Sequence, residues 1–168
     1  MHRRGGKWKE LTGWSSIEGQ WLRRKHFTPD ALAHIAERIR QAEQGHTGEL
    51  VVAIEAVMPA HERNSRLRAL EVFGRLGVWD TPLNTGVLLY LGLDRHAIEI
   101  VADRGIAAPD ALWEDVCRLL QVQLQEGNFV SGVLAAVETI EEHLRTRCPA
   151  VPTGQSDSDD LPNAPVLL

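Results

Sequence analysis

Residues 86–105 limit what this chain can fold into more than any other stretch. They read Gly-Val-Leu-Leu-Tyr-Leu-Gly-Leu-Asp-Arg-His-Ala-Ile-Glu-Ile-Val-Ala-Asp-Arg-Gly. Val87 to Leu93 is a nearly continuous apolar run of residues that suit a pleated, buried surface. Asp94-Arg95-His96 interrupts it at turn spacing. Ala97 to Ala102 then places Ile98 and Ile100 on one face and Glu99 and Val101 on the other. Two such runs with a short polar break predict an antiparallel hairpin. The first of its strands reads as buried on both sides, the pattern of an inner strand with helices above and below.

The flanking sequence supplies those helices. Thr28-Pro29-Asp30 is a helix start, with Thr28 as N-cap and Pro29 at the first helical position. Leu32, Ile35, Ala36 and Ile39 form its apolar stripe, and Gly45 is the candidate C-cap. Glu49 to Val57 predicts a strand. Ser65 to Leu76 predicts a helix with Leu67, Leu70, Phe73 and Leu76 inward and Arg66, Arg68, Glu71 and Arg75 outward. After the hairpin, Pro109-Asp110 opens a helix with the stripe Leu112, Val116, Leu119, Leu120 and Leu124. Val133, Leu134, Val137, Ile140 and Leu144 mark a last helix to about Arg147. The order α-β-α-β-β-α-α, with a right-handed crossover between parallel strands, predicts a three-layer α/β/α, Rossmann-like sandwich around a small mixed sheet. Residues 28–147 form this α/β domain, between a basic Trp-rich arm (1–27) and an acidic, Pro-rich tail (148–168).

That topology predicts which polar residues meet. The starts of the two parallel strands and the end of the third share one sheet edge. His46, Glu49, Asp80, Asn84, Thr85, Asp103 and Arg104 are expected there. Met58, His61, Asp94, Arg95 and His96 belong to the opposite edge. Oxygen ligands from several loops suit a hard cation, Ca2+ or Mg2+, so Asp80, Asn84, Asp103 and Glu49 are the candidate ligands. Asp, Asn and Thr are equally at home there as turn and cap residues.

Charge separates the segments. Residues 1–27 carry seven Lys/Arg against two Glu, residues 28–147 carry 11 basic and 18 acidic groups, and the tail carries Asp157, Asp159 and Asp160 with no base. An acidic body lacks the basic surface that phosphate contacts need, so no nucleic-acid partner is expected. In the arm, Leu11, Trp14, Ile17 and Trp21 fall at helical spacing among Arg and Lys. This reads as an interfacial helix for an anionic membrane surface, or as a helix packed on the domain or on a protein partner. No apolar run is long enough to cross a membrane, and the basic start of the arm, with no apolar core after it, does not read as a secretory signal. The two cysteines, Cys117 and Cys148, have no second pair to build a zinc cage, so free thiols in the cytoplasm are expected; under the membrane reading of the arm, the protein would sit peripherally at the inner membrane face. Leu161 to Leu168 is apolar and extended in character, able to dock on the domain or on a partner.

Four segments in register resemble the TPM domain family: Gly48–Ala53, Asn84–Leu91, Ile98–Gly105, and Gly127-Asn128-Phe129 followed by Gly132-Val133-Leu134. The resemblance spans residues 28–147 and implies a Rossmann-like α/β/α sandwich. Members of that family are linked to photosystem repair, described as acid phosphatases, or bind divalent cations in loops at the sheet edge. The family's acidic residue before the Asn-Gly of its second strand falls on Asn84 here, and its Asn on Thr85. Its glycine-rich segment after the third strand is replaced by Ala102-Asp103-Arg104-Gly105. Members often carry a signal peptide and a membrane anchor; this sequence shows neither and resembles a soluble branch.

The sequence holds no nucleophile elbow, phosphate-binding P-loop, His-Glu-x-x-His or dinucleotide fingerprint. Three readings follow. The first is a TPM-like accessory or interaction module acting at a membrane surface or on a membrane-protein maintenance partner. The second is a divalent-metal-dependent, acid-phosphatase-like hydrolase in which Arg104 binds phosphate. The third is a non-catalytic Ca/Mg-binding domain.

Overall fold

The computed structural model describes residues 14–154 and 161–168. Leu11, the Trp14 side chain and the acidic run Asp157–Asp160 lie outside what it describes. The elements are α1 (Trp14–His26), α2 (Pro29–Ala42), β1 (Glu49–Glu55), α3 (Ser65–Arg75), β2 (Gly86–Gly92), a 3-10 turn (Leu93–Arg95), β3 (Ala97–Ala102), α4 (Asp110–Gln125), α5 (Phe129–Arg147) and β4 (Val166–Leu167). The sheet order is β3-β2-β1-β4. β1 and β2 pair in parallel from Glu49↔Gly86 to Glu55↔Gly92, and β3 closes the hairpin antiparallel to β2. The result is the expected three-layer α/β/α sandwich.

Local chemistry explains the boundaries. The Thr28 hydroxyl accepts the Ala31 N–H and Pro29 opens α2, while Asn64 caps α3 in the same way by accepting from Leu67. Gly45 and Gly77 follow their helices at φ +98° and +66°, where a side chain would be strained. His96 closes the 3-10 turn in the left-handed region at φ 52°.

Both faces of β1 and β2 are buried along their whole length. On one face Leu50, Val52, Ile54, Leu89 and Leu91 pack against α2, α4 and α5 through Ile35, Ile39, Trp113, Val137 and Ile140, and Leu22 of α1 joins them. On the other, Val51, Ala53, Leu88 and Tyr90 meet Ala69 and Val72 of α3, with Leu161, Val166 and Leu168 of the C-terminal segment packed alongside. That segment adds β4 parallel to β1 at Ala53↔Val166 and Ile54↔Leu167.

Two faces differ from the sequence reading, and a third settles on one side. On α3, Leu67 and Leu70 are exposed, and Arg68, Ala69 and Val72 are the buried positions. Arg68, expected outside, turns inward because Glu55 stands buried beneath it at the end of β1. On α4, Leu119 is exposed and Trp113 takes the core position. On α1, Ile17 and Trp21 are exposed, Trp21 meeting edge-on the His26 ring that stacks on Phe129, whereas Ser15, Gly19 and Leu22 face the domain. Gly19 decides this: a Cβ there would lie 1.9 Å from the Ala56 carbonyl oxygen, so only glycine lets α1 seat against the chain leaving β1.

Candidate functional site

The expected edge assembles in part. The Thr85 hydroxyl donates to Thr47 O, Glu49 N–H bonds Thr85 O, and Asp103 N–H bonds Gly86 O. Gly105 N–H bonds the carbonyl of Asn84, itself in the left-handed region at φ 55°; a Cβ on Gly105 would meet that backbone at 2.4 Å. Asp103 Oδ1 accepts the Arg104 N–H at 2.7 Å, and Asp103 Oδ2 is buried with no hydrogen-bond donor on it among the described residues. Glu49 is buried beside Thr85, Arg104 is exposed, and Asp80 is exposed with its own N–H held by Gly77 O. Among the described residues, no group of three or more His, Cys, Asp or Glu is gathered in a way that would hold a metal ion. One carboxylate oxygen without a hydrogen-bond donor does not make the closed cage of protein oxygens that a dedicated cation site has.

His46 leaves this edge for the helical layer. Its Nδ1 accepts the Gly48 N–H at 3.1 Å, so the ring proton is on Nε2, which reaches Glu141 Oε2 at 2.9 Å and Ala42 O at 3.2 Å. Both residues are fully buried, and Glu141 Oε1 has no hydrogen-bond partner among the described residues. Burial pushes the Glu141 carboxyl up despite the bond from His46.

The opposite sheet end holds a network that the sequence reading did not find. Arg68 grips Glu55 through two bonds, Nε to Oε2 at 3.0 Å and Nη2 to Oε1 at 2.6 Å, and the Tyr90 hydroxyl donates to Oε2. Arg68 also pairs with Glu71 at 2.9 Å, and His61 contacts that carboxylate at 3.2 Å. Burial pushes the Tyr90 phenol up, with the Glu55 bond adding to it. Asp94 lies close by; it accepts Met58 N–H, and its carboxyl is also raised by burial. The signal was a lone Tyr and a Glu inside apolar strands facing an Arg-rich helix. α1 lies across this end of the sheet: Gly19 touches Ala56 O and Asp94 Cβ, and Glu18 reaches His96.

The outer face of α1 is exposed. Ile17 is 70% and Trp21 53% accessible, one helical turn apart. Lys25 places its ammonium 4.5 Å from the Trp21 ring centroid, and Arg24 is exposed beside it. Among the described residues, no helix is long and apolar enough to cross a membrane.

The family model for the TPM domain matches residues 23–143. Among solved structures, the NMR structure of BA42 protein from the psychrophilic bacterium Bizionia argentinensis is similar: TM-score 0.72 and 30% identity over 83% of this chain and 94% of that one. No curated protein matches.

Proposed function

The chain belongs to the TPM domain family, and from that premise we propose that it is an accessory interaction module docking on an anionic membrane surface through α1. The exposed Ile17–Trp21 pair carries the reading. An isolated exposed leucine needs no explanation, but a tryptophan and an isoleucine one turn apart on a helix pinned by its other face form a prepared contact. Trp suits the boundary between headgroups and acyl chains, and Arg24 and Lys25 beside it suit anionic lipid. Such a module works peripherally, at the inner face of a membrane, and brings the domain to a membrane-protein partner.

The test is cosedimentation of the full chain with phosphatidylglycerol-containing and pure phosphatidylcholine vesicles. Binding should require the anionic lipid, weaken with salt, and drop about tenfold in Trp21→Ala, the equivalent of about 1.4 kcal/mol. Equal binding by wild type and variant sinks the reading. Binding to no vesicle transfers the same face to a protein partner.

The orphaned Asp103 Oδ2 supports a second reading, in which Asp103, Asn84, Asp80 and Glu49 hold a hydrated Ca2+ or Mg2+. In its hydrolase form, Arg104 would bind a phosphate beside the ion.

A further inference from the structure

β3 forms one edge of the sheet, opposite the two-residue β4. Its register fixes which backbone groups face outward. Asp103 bonds Gly86, and Val101 and Glu99 stand opposite Leu88 and Tyr90, so these odd-numbered residues carry the ladder and Ile98, Ile100 and Ala102 turn their N–H and C=O groups away from β2. The Ile100 carbonyl shows this directly by accepting from the exposed Arg66 guanidinium, and Cys117 of α4 lies beside the same backbone unit. Among the described residues nothing bonds the outward groups of Ile98 or Ala102.

Proteins usually blunt such an edge with a bulge, a proline or a cover. Here it forms the floor of a groove of about 1600 Å³, walled on one side by the first turn of α3 and on the other by α4. The groove is also polar along its length. At the start of β3 Arg63, Arg66 and Arg95 outnumber Glu18, which is paired with His96, while Glu99 is already bonded to Ser65. Toward its end Asp103, Asp110 and Glu114 outnumber Arg104 and Arg118, and Arg118 is already paired with Asp115. A six-residue strand separates the two ends by about 20 Å.

We propose that this groove is a docking site for an extended peptide segment of a protein partner, which adds antiparallel to β3 and carries acidic residues at its C-terminal end. The antiparallel direction lays that end over Arg63 and Arg95 and the amino end over Asp103 and Asp110. Backbone bonds to Ile98 and Ala102 hold the segment, and the charges set its direction. This surface is distinct from the exposed face of α1.

A phage-displayed library of random decapeptides with free C-termini, selected on the full chain, tests it. The best synthetic decapeptide is then titrated by amide NMR. Enrichment of Asp and Glu in the last positions is expected, with saturable shifts across residues 98–102. Ala102→Pro removes an outward N–H and no ladder bond, so it should fold, and it should weaken binding at least tenfold. Arg63→Glu carries the test independently of that fold check: selection on it should weaken the enrichment of acidic residues at the C-terminus, because Arg66 and Arg95 then face a carboxylate beside them. No enrichment above background, peptides that map to α1, or an unchanged charge preference on Arg63→Glu overturns the proposal.

Discussion

Replacing Arg68 with Ala removes two of the three donors that hold the buried Glu55 carboxylate. The side chains of Arg68 and Glu55 are both 5% exposed, so water does not replace the lost guanidinium. Tyr90 remains as one neutral donor. Breaking a buried pair by deleting one partner costs about 3–5 kcal/mol, a third or more of a typical domain stability of about 5–15 kcal/mol. The half-exposed contact with Glu71 adds little. At this chain length the loss corresponds to a melting temperature lower by roughly 6–20 °C. Glu55→Leu combined with Arg68→Met should be milder, because no charge is left buried and the main remaining defect is a Tyr90 hydroxyl without an acceptor, about 1–3 kcal/mol. Urea unfolding followed by circular dichroism measures all three proteins. A cost below about 1 kcal/mol for Arg68→Ala, or a double variant less stable than the single one, would refute the assignment of this pair as a buried, mutually dependent unit.

Gly19→Ala separates helix propensity from seating: propensity alone predicts a gain of about 1 kcal/mol, whereas contact with the Ala56 carbonyl predicts a loss of about 1–3 kcal/mol and faster tryptic cleavage at Arg23–Lys25. Glu141 carries a raised pKa in the folded protein, so its contribution to stability is complete below its ordinary value of 4.5 and is lost as pH rises through the folded value. Glu141→Gln keeps an acceptor for His46, so the variant should lose less stability than wild type between pH 4.5 and 8, read from urea midpoints across that range. Titration with Ca2+ or Mg2+ should shift the amides of residues 84–86 and 103–105 in wild type and not in Asp103→Ala; shifts absent at millimolar cation remove the second functional reading.

The elements were legible because their local signals agree. Thr28-Pro29 has one good use, and the run from Val87 to Leu93 has no stable home outside an inner strand. Faces were less legible. Periodicity put Leu67 and Leu70 of α3 inward because a helical stripe counts hydrophobicity alone, whereas the neighbour under α3 is the carboxylate of Glu55, which draws Arg68 in. On α1 periodicity found the stripe and left its side open: close approach to Ala56 required Gly19, so the face with Gly19 and Leu22 packs and Ile17 and Trp21 are exposed. At the polar edge the sequence reading placed Asn84, Thr85, Asp103 and Arg104 correctly from topology. It did not anticipate that His46 would turn toward Glu141, a residue 95 positions away on α5.

The two covers of the sheet are unequal, and this shapes how the protein breathes. One face lies under α2, α4 and α5 with a continuous core; the other is held by α3, the Arg68–Glu55 clasp and a short docked segment paired to β1 at two residues. Opening free energies should therefore divide into two cooperative units. Amides of α3 and β4 should exchange with solvent well before those of α5 and β1, and the transiently bared surface would be the Val51–Tyr90 face of the sheet. In a cell, that opening is where a protease or chaperone would first find this chain.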